Sequence, residues 1–414
     1  MTAPGSVPPR RVCVFTGSRA EYGLLRPTMT RLRDHDRAEL QVLVSGAHLS
    51  PAFGLTHEAI TADGFAIDER VEMLLSSVSP VGVVKSLGLA LTGFADALAR
   101  LHPDVLVVLG DRYEVLAAAT AALLLRIPIA HIAGGETTEG AVDDSLRHAV
   151  TKMAHLHFVA TDRFRDRVLQ LGEHPGRVMT VGAPGLDGIA GLEPLTGPQL
   201  EADLELALRP PVLVVTYHPV TAVGGDPVAG CGPLLEALDA VPGATVVFTM
   251  PNADTAAARI SAALARYVAG HPERSRLFPA LGQRRYLSLV AHAAAVVGNS
   301  SSGLIEAPAL GTPTVNVGER QRGRPRAASV IDCPEEAGAI AAAVRAAVSP
   351  QWQRRAAARR SPYGRPGAAH RIVTALLAAD LDEVLAKRFH EIDAAGGAHD
   401  GRHSDQRAAG GRQR

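Results

Sequence analysis

Short apolar runs alternate along this chain with longer segments of helical periodicity. The apolar runs are rich in Val, Ile and Leu and lack polar alternation, as expected of strands buried on both faces. They occupy residues 12–16, 40–45, 105–109, 129–132, 157–160, 178–181, 212–216, 245–249, 295–298 and 314–317. Ala-rich amphipathic segments lie between them, such as residues 80–101, 115–126, 143–154 and 254–268. This alternation predicts parallel sheets covered by helices, in two successive sets.

A Gly- and Pro-rich stretch at residues 182–199 separates the two sets of strands. We therefore predict an N-terminal Rossmann-like domain over residues 1–185 and a C-terminal one over residues 186–367, with a cleft between them. The polar, Gly-rich residues 393–414 are expected to be disordered and to carry no function.

Polar clusters directly follow several of the predicted strands. They lie at residues 16–21, 110–114, 134–139, 217–219 and 299–302. The carboxyl ends of parallel strands meet at one edge of a sheet, and two facing sheets share one cleft. We therefore expect these clusters to line a single site.

The segment GNSSSGLIE at residues 298–306 is the most specific indication of a ligand. A strand that ends in small hydroxyl residues and opens into a helix presents free backbone N–H groups at the positive helix end, which suits a phosphate or diphosphate. Glu306 lies one turn inside, where ribose hydroxyls would suit it better than phosphate. Arginines further along can clamp phosphate oxygens. A Ser-rich turn that only caps a helix is the alternative.

Composition narrows the class of protein. The chain has 414 residues, of which 47% are apolar, and its 42 acidic and 42 basic residues create no net attraction to nucleic acid or membrane. We see no signal-like N-terminus and no run of about twenty apolar residues, so a cytoplasmic protein is expected. Scattered Cys13, Cys231 and Cys333 predict neither a disulfide framework nor a metal site. No dinucleotide fingerprint follows the first strand, which disfavours redox cofactors.

Five segments, in this order, resemble the UDP-N-acetylglucosamine 2-epimerases, especially the hydrolysing branch that supplies N-acetylmannosamine for sialic-acid synthesis. They are TGSRAEYG at residues 16–23, GDRYE at 110–114, GGE and DDSLRH within 134–148, TYHPVT at 216–221, and GNSSSGLIE with RQRGR within 298–324. The likeness covers about residues 10–375. It implies the GT-B-type architecture of many nucleotide-sugar transferases: two doubly wound α/β domains facing a cleft. A C-terminal unit over residues 368–392, with a helix at 368–385, would cross back to the first domain.

The resemblance also implies the reaction, in which UDP-GlcNAc and water give ManNAc and UDP. UDP would leave first, by anti-elimination through an oxocarbenium-like state, and loss of the C2 proton would give a 2-acetamidoglucal to which water adds. Such chemistry needs a cradle for the diphosphate, carboxylates that stabilise positive charge, and an acid and a base on defined faces.

The residue types of the matching motifs suit these tasks. The resemblance assigns to UDP binding Arg19, Ala20, His48, Arg112, Asn252, Ser300, Ser301, Glu306 and Arg320. It assigns Arg19 and Arg112 to the diphosphate, with Arg320 closing over the phosphates, and Asn252 to the nucleotide. Ser300 and Ser301 would donate hydrogen bonds to the diphosphate oxygens.

The candidate catalytic residues are Asp111, Asp143, Glu136 and His218. Asp111 and Asp143 match carboxylates that the family keeps, although each could instead cap a helix. Many relatives carry a carboxylate or a histidine where this chain has Ala133 in HIAGGE. Either Glu136 or Glu139 replaces that group, or acid–base chemistry rests on the two aspartates and His218.

Several alternatives stay open. The enzyme could be non-hydrolysing and return UDP to the glycal, or it could act on a modified UDP-sugar such as a diacetamido-trideoxyhexose. A glycosyltransferase of the same architecture would require an acceptor, and a binding protein would keep the nucleotide cradle without the chemistry. The resemblance implies a homodimer or homotetramer that needs no metal and no cofactor. We expect a UDP-sugar as partner, and neither nucleic acid nor membrane.

Overall fold

The computed structural model describes residues 8–77, 79–139, 141–220, 226–241, 243–251, 257–279 and 281–392. The strands are β1 (Arg10–Thr16), β2 (Ala38–Ser45), β3 (Glu69–Val71), β4 (Val105–Leu109), β5 (Ile129–Ile132), β6 (Leu156–Val159), β7 (Val178–Thr180), β8 (Val212–Thr216), β9 (Thr245–Thr249), β10 (Ser275–Phe278), β11 (Ala295–Gly298), β12 (Thr314–Val317) and β13 (Val330–Cys333). The predicted tail at residues 393–414 lies outside the described residues.

Helices connect these strands. They are α1 (Arg19–Arg33), α2 (His57–Ala62), α3 (Pro80–Leu101), α4 (Tyr113–Leu124), α5 (Val142–Met153), α6 (Asp162–Gln170), α7 (Asp187–Ala190), α8 (Gly197–Leu204), α9 (Cys231–Asp239), α10 (Ala257–Gly270), α11 (Gln283–His292), α12 (Ser302–Leu310), α13 (Ala337–Ala347), α14 (Pro350–Ala356), α15 (Ala368–Ala378) and α16 (Leu381–Leu385).

The strands form two parallel sheets. The first has seven strands in the order β3-β2-β1-β4-β5-β6-β7, and the second has six in the order β10-β9-β8-β11-β12-β13. The order reverses between β1 and β4 in the first sheet and between β8 and β11 in the second. Loops diverge at such switch points and leave a crevice for a ligand. The predicted pair of doubly wound α/β domains is confirmed.

The ten predicted strands are all present, but the pattern missed β3, β10 and β13. Each of the three lies at the edge of its sheet. Their sequences, ERV, SRLF and VIDC, carry charged residues. An edge strand has one unpaired side and needs fewer apolar residues, so the buried-strand pattern cannot reveal it.

The C-terminal segment returns to the first domain. Ile372 and Leu376 of α15 are fully buried in one core with Val14 and Leu25. The predicted single helix over residues 368–385 is wrong in one respect, because it is divided into α15 and α16. Asp380 interrupts it, since its carboxylate accepts the N–H groups of residues 382 and 383 at 3.1 Å each and caps α16. The boundaries at 185 and 367 stay predictions.

Helix α3 is long and apolar on average, although Lys85, Asp96 and Arg100 interrupt its apolar residues. Its 22 residues have a mean hydropathy of 1.4 over the most apolar window, which by length and composition alone could cross a membrane. About a third of that window (33%) is buried, and Ala90, Phe94 and Ala97 belong to the core that covers one face of the first sheet. The core helix of a folded domain has the same properties.

Candidate active site

Gly298, at the end of β11, allows two strands to approach unusually closely. Its φ is +129°, and a Cβ at this position would lie 2.0 Å from the carbonyl oxygen of Thr216 on β8. Only glycine fits both constraints. The loops after β8 and β11 therefore start side by side at the switch point of the second sheet.

Asn299 ties these two loops together. Its side chain is fully buried; Oδ1 accepts the backbone N–H of His218 at 2.7 Å, and Nδ2 donates to the His218 carbonyl at 2.9 Å. The Asn299 carbonyl accepts Arg320 Nη1 at 3.1 Å and Gln321 Nε2 at 2.8 Å. The structure therefore brings His218 and Arg320 together around Ser300. Sequence reasoning missed Asn299 and Gln321 because both act through backbone contacts.

The turn at Ser300 and Ser301 opens α12, as the sequence predicted, with Ser301 at its N-cap. Both serines are partly exposed. Glu306 lies one turn inside, where burial raises its pKa. Its Oε2 is buried without a hydrogen-bond partner among the described residues. An unpaired buried oxygen is costly, and a ligand hydroxyl would satisfy it.

His218 is almost fully buried in the second domain. Burial lowers its pKa well below the ordinary value of 6.5, and the charge of Arg320 adds to this effect. The imidazole is therefore neutral near pH 7. It can act as a hydrogen-bond donor beside a developing anion or can accept a proton.

Asp111, after β4, meets α5 of the same domain. Arg147 is buried, and its Nη2 contacts Asp111 Oδ2. Asp143 and Asp144 occupy the first turn of α5, and Asp144 Oδ1 accepts the backbone N–H of Thr138 at 2.6 Å. The structure thus brings Asp111 into contact with one buried guanidinium, and the charge of Asp143 also acts on that guanidinium. In the sequence, Arg147 lies in the matching DDSLRH motif and had no assigned role.

Glu136 forms an ion pair with an arginine of the second domain. Its Oε2 lies 3.1 Å from Arg324 Nη2, and the two side chains are 10% and 8% exposed. Glu139 is exposed and lies 3.2 Å from Arg322. A proton-transfer role for Glu136 stays a prediction, because its described contact is an ion pair across the cleft.

Ala133, after β5, has a left-handed backbone with φ of +66°. Its N–H donates to the Phe158 carbonyl at 3.0 Å. Left-handed alanine costs about 1 kcal/mol, and such strain is concentrated at functional sites. Ala133 itself supplies no acid or base.

Of the remaining residues predicted to bind UDP, three lie at the start of helices in the first domain and one lies outside the described residues. Arg19 is exposed at the start of α1 with Ala20 beside it, and both of its terminal nitrogens donate to the Pro279 carbonyl of the second domain at 3.2 Å. Arg112 is held by Glu114 at 3.2 and 3.3 Å. Asn252 lies outside the described residues.

His48, predicted to contact the nucleotide, is held by two threonine hydroxyls inside the first domain. The side chain is fully buried, with Nε2 at 3.0 Å from Thr16 Oγ1 and Nδ1 at 2.8 Å from Thr56 Oγ1. Burial lowers its pKa to about 4. Both ring nitrogens are therefore used inside the core, and a nucleotide contact by His48 stays a prediction without geometric support.

Glu21, beneath the β1–α1 loop, yields a testable pH dependence. Burial raises its pKa from 4.5 to about 7, opposed by Arg112 and aided by Glu114. A carboxyl whose pKa is raised on folding stabilises the folded state at low pH, and that contribution is lost as the pH rises through about 7. We expect Glu21→Gln to gain stability relative to the unmodified protein between pH 5 and pH 8. Thermal melts across this range measure it, with exposed Glu39→Gln as the control.

A difference in melting temperature between Glu21→Gln and the unmodified protein that stays constant across that pH range would contradict the raised pKa of Glu21.

Within the parts of the chain that the structure describes, no group of three or more His, Cys, Asp or Glu side chains is arranged to hold a metal ion.

Comparison with known proteins identifies the family. The family profile described as UDP-N-acetylglucosamine 2-epimerase matches residues 30–377. A GDP/UDP-N,N'-diacetylbacillosamine 2-epimerase (hydrolyzing) of Campylobacter jejuni is 40% identical over 323 residues, covering 78% of this chain and 84% of that protein. The chain belongs to the UDP-N-acetylglucosamine 2-epimerase family. Polysialic acid biosynthesis protein P7 of Escherichia coli is 35% identical over 332 residues, covering 80% and 84%. The UDP-N,N'-diacetylbacillosamine 2-epimerase (hydrolyzing) of Legionella pneumophila is 34% identical over 340 residues, covering 82% and 89%.

Solved structures of UDP-GlcNAc 2-epimerases have the same fold. The Neisseria meningitidis enzyme bound to UDP-GlcNAc has a TM-score of 0.65 and 19% identity, covering 89% of this chain and 100% of that one. The Methanocaldococcus jannaschii enzyme in complex with UDP-GlcNAc and UDP has a TM-score of 0.73 and 17% identity, with the same coverage. The predicted family, GT-B-type fold and enzyme class are therefore confirmed. The relatives from Campylobacter jejuni and Legionella pneumophila are both named as hydrolysing 2-epimerases.

Proposed function

We propose that the enzyme converts a UDP-linked 2-acetamido sugar and water into the free 2-epimeric sugar and UDP. The observation that carries this proposal is the pairing of two half-sites. An anion cradle at the start of α12, with Arg320 and neutral His218, belongs to the second domain. Asp111, in contact with Arg147, and Asp143, whose charge acts on Arg147, belong to the first. One holds a leaving diphosphate and the other offers acid–base groups.

In the first step the C1–O bond to the diphosphate breaks, and its electron pair leaves with UDP. The N–H groups at the start of α12, the hydroxyls of Ser300 and Ser301, and Arg320 stabilise that charge. The C2 proton passes to a carboxylate, Asp111 in our assignment, and a C1–C2 double bond forms. The Glu306 carboxylate accepts hydrogen bonds from the ribose hydroxyls, and these bonds orient the nucleotide.

In the second step the oxygen of water bonds to C1 while a proton returns to C2 from the opposite face. The proton that the water loses restores the donor, and Asp111 releases the proton of the first step to solvent. Asp143 is the proposed donor, because it lies on the same helix as Arg147 and in the same carboxylate cluster as Asp111. Two carboxylates with separate tasks are sufficient for this sequence of steps, and the reaction needs no group at Ala133.

Two substrates are proposed for this reaction. UDP-N,N'-diacetylbacillosamine is favoured by the names of relatives that are 40% and 34% identical. UDP-GlcNAc, the substrate predicted from the motifs, is favoured by a UDP-N-acetylglucosamine 2-epimerase of Neisseria meningitidis that is 31% identical over 344 residues. The two sugars differ at C4 and C6 and share the C1 and C2 atoms where the bonds change.

An NMR time course in D₂O, with each UDP-sugar in turn, tests the proposal. We expect free 2-epimeric sugar carrying deuterium at C2, released together with one UDP. Deuterated UDP-sugar epimer without free sugar would point to the non-hydrolysing reaction. An unchanged UDP-sugar, with UDP still binding, would contradict the proposed substrates. The larger kcat/KM of the two sugars assigns the physiological class.

We propose that the enzyme is a homo-oligomer that uses the exposed apolar face of α3. Val81, Val84 and Leu89 are 64%, 67% and 48% exposed on this helix. Apolar patches of this kind mark interfaces. Val84→Glu is expected to shift sedimentation towards the monomer, while Thr61→Glu on α2 should leave it unchanged. A Val84→Glu variant that sediments like the unmodified protein would contradict the proposed face. A cytoplasmic location, and the absence of nucleic-acid and membrane partners, stay predictions.

A further inference from the structure

Arg324 extends from the second domain and uses its donors on the first. Its Nη2 lies 3.1 Å from Glu136 Oε2, and its Nε donates to the Thr137 carbonyl at 2.8 Å. Nη2 also lies within hydrogen-bond distance of Thr138 Oγ1, at 3.4 Å. Both charged side chains are at least nine-tenths buried. A buried ion pair with additional hydrogen bonds has a demanding geometry, so the arginine fixes the loop that it contacts.

That loop is also tied to the proposed catalytic carboxylate. The N–H of Thr138 donates to Asp144 at 2.6 Å. Both terminal nitrogens of Arg147 lie 3.5 Å from Thr138 Oγ1, and Arg147 contacts Asp111. The hydroxyl of Thr138 is therefore shared by one arginine from each domain. A displacement of this loop would change the surroundings of Arg147 and, through it, the position of Asp111.

We propose that Arg324 is a positioning residue that couples closure of the cleft to the placement of Asp111. With Arg324 seated on Glu136, the 136–138 loop supports Arg147, and Arg147 holds the Asp111 carboxylate towards the sugar. When the domains separate, the loop loses its support from the second domain. This inference rests on the proposed function, since it assumes that Asp111 acts at the reacting sugar. It also assigns Glu136 a positioning role.

The same loop of the second domain provides a matched control. Arg322 lies two residues away and also faces the first domain, with Nε 3.2 Å from Glu139 Oε2. Its side chain is 67% exposed, so this ion pair is screened by water and contributes little. Loss of charge at Arg322 changes the net charge of the loop by the same amount as loss of charge at Arg324. Of these two arginines of the second domain, Arg324 has the described contact with Thr138.

The test compares Arg324→Gln, Arg324→Lys and Arg322→Gln in the full chain, with kcat and KM for the UDP-sugar and the calorimetric Kd for UDP. We expect Arg324→Gln to lower kcat about 10- to 100-fold, as misplacement of a catalytic group does, with the Kd for UDP changed by less than about threefold. Arg324→Lys should restore part of kcat, because it keeps the charge but not the planar fork. Arg322→Gln should stay within about twofold of the unmodified enzyme.

Two results would overturn the inference. An unchanged kcat in Arg324→Gln would show that Arg324 does not affect the placement of Asp111. A loss of UDP affinity with kcat retained would show that Arg324 binds the phosphates instead. If the unmodified protein turns over no UDP-sugar, the proposed function fails, and hydrogen exchange of residues 134–147 decides the inference separately. Faster exchange in Arg324→Gln than in Arg322→Gln supports the role of Arg324 in holding the loop; equal rates contradict it.

Discussion

Asp111→Asn is expected to lower kcat by a factor of about 10² to 10⁴ while UDP still binds. Asp111 follows β4, and its carboxylate contacts the buried Arg147. Removing a general acid or base costs a factor of this size, because asparagine cannot take up the C2 proton. Asparagine keeps one acceptor oxygen for Arg147, so the fold should survive. Steady-state kinetics and UDP calorimetry on the same preparation measure the two effects separately.

The control for this substitution is Asp166→Asn, which removes an exposed carboxylate on α6 and should leave kcat unchanged. If Asp111→Asn kept more than about a tenth of the original kcat, Asp111 would not be the base, since general acid–base catalysis is worth at least about 10². If it lost UDP binding together with kcat, the separation of nucleotide cradle and carboxylates between the two domains would be wrong.

Gly298→Ala is expected to destabilise the protein by about 2–5 kcal/mol. This figure is the sum of two costs, the strain of alanine at a positive φ and the overpacking caused by the new Cβ. The new Cβ would meet the Thr216 carbonyl oxygen at 2.0 Å, and backbone atoms on two paired strands cannot move apart without breaking the sheet. Because Asn299 follows directly, the nucleotide cradle should be lost too. We expect the melting temperature to fall by about 5–15 °C, measured by calorimetry.

A second glycine gives the opposite expectation. Gly338 lies within α13, and a Cβ there would meet no atom within 4 Å. Gly338→Ala should therefore raise stability by up to about 1 kcal/mol, as alanine does in helices. A melting temperature for Gly298→Ala equal to that of the unmodified protein would show that the close approach of β8 and β11 is not required.

The central strands of both sheets could be predicted from the local sequence, whereas three edge strands and the interruption of the C-terminal helix could not. Strand β4 (VLVVL) is a continuous apolar run, and β8 (VLVVT) is apolar up to its last residue, because both faces of each strand are covered; their predicted bounds match the structure. Edge strands β3, β10 and β13 carry charges that resemble loop sequence. Asp380 divides a segment of helical periodicity through one capping interaction, which periodicity does not record.

The candidate site divides in a similar way. Motif likeness found residues that chemistry requires, including Asp111, Asp143 and Ser300. Its segments contained Asn299 and Arg324 but gave neither a role, because their importance lies in which backbone or loop they contact across 81 or 188 residues of chain. It assigned His48 to the nucleotide; two threonine hydroxyls hold that ring inside the core, and the assignment stays a prediction. Residue type predicts a task, and tertiary contact decides whether a residue can perform it.

The return of α15 to the first domain has a consequence for synthesis of the chain. Ile372, Val373, Leu376 and Leu377 complete the core beneath α1, yet they follow the entire second domain in sequence. At about 5–20 residues per second, a ribosome needs roughly 10–40 s to translate the stretch between β7 and α15. Throughout that interval the nascent first domain exposes an apolar surface that only the end of the chain can cover. The order of translation therefore makes the second domain the first unit able to fold completely.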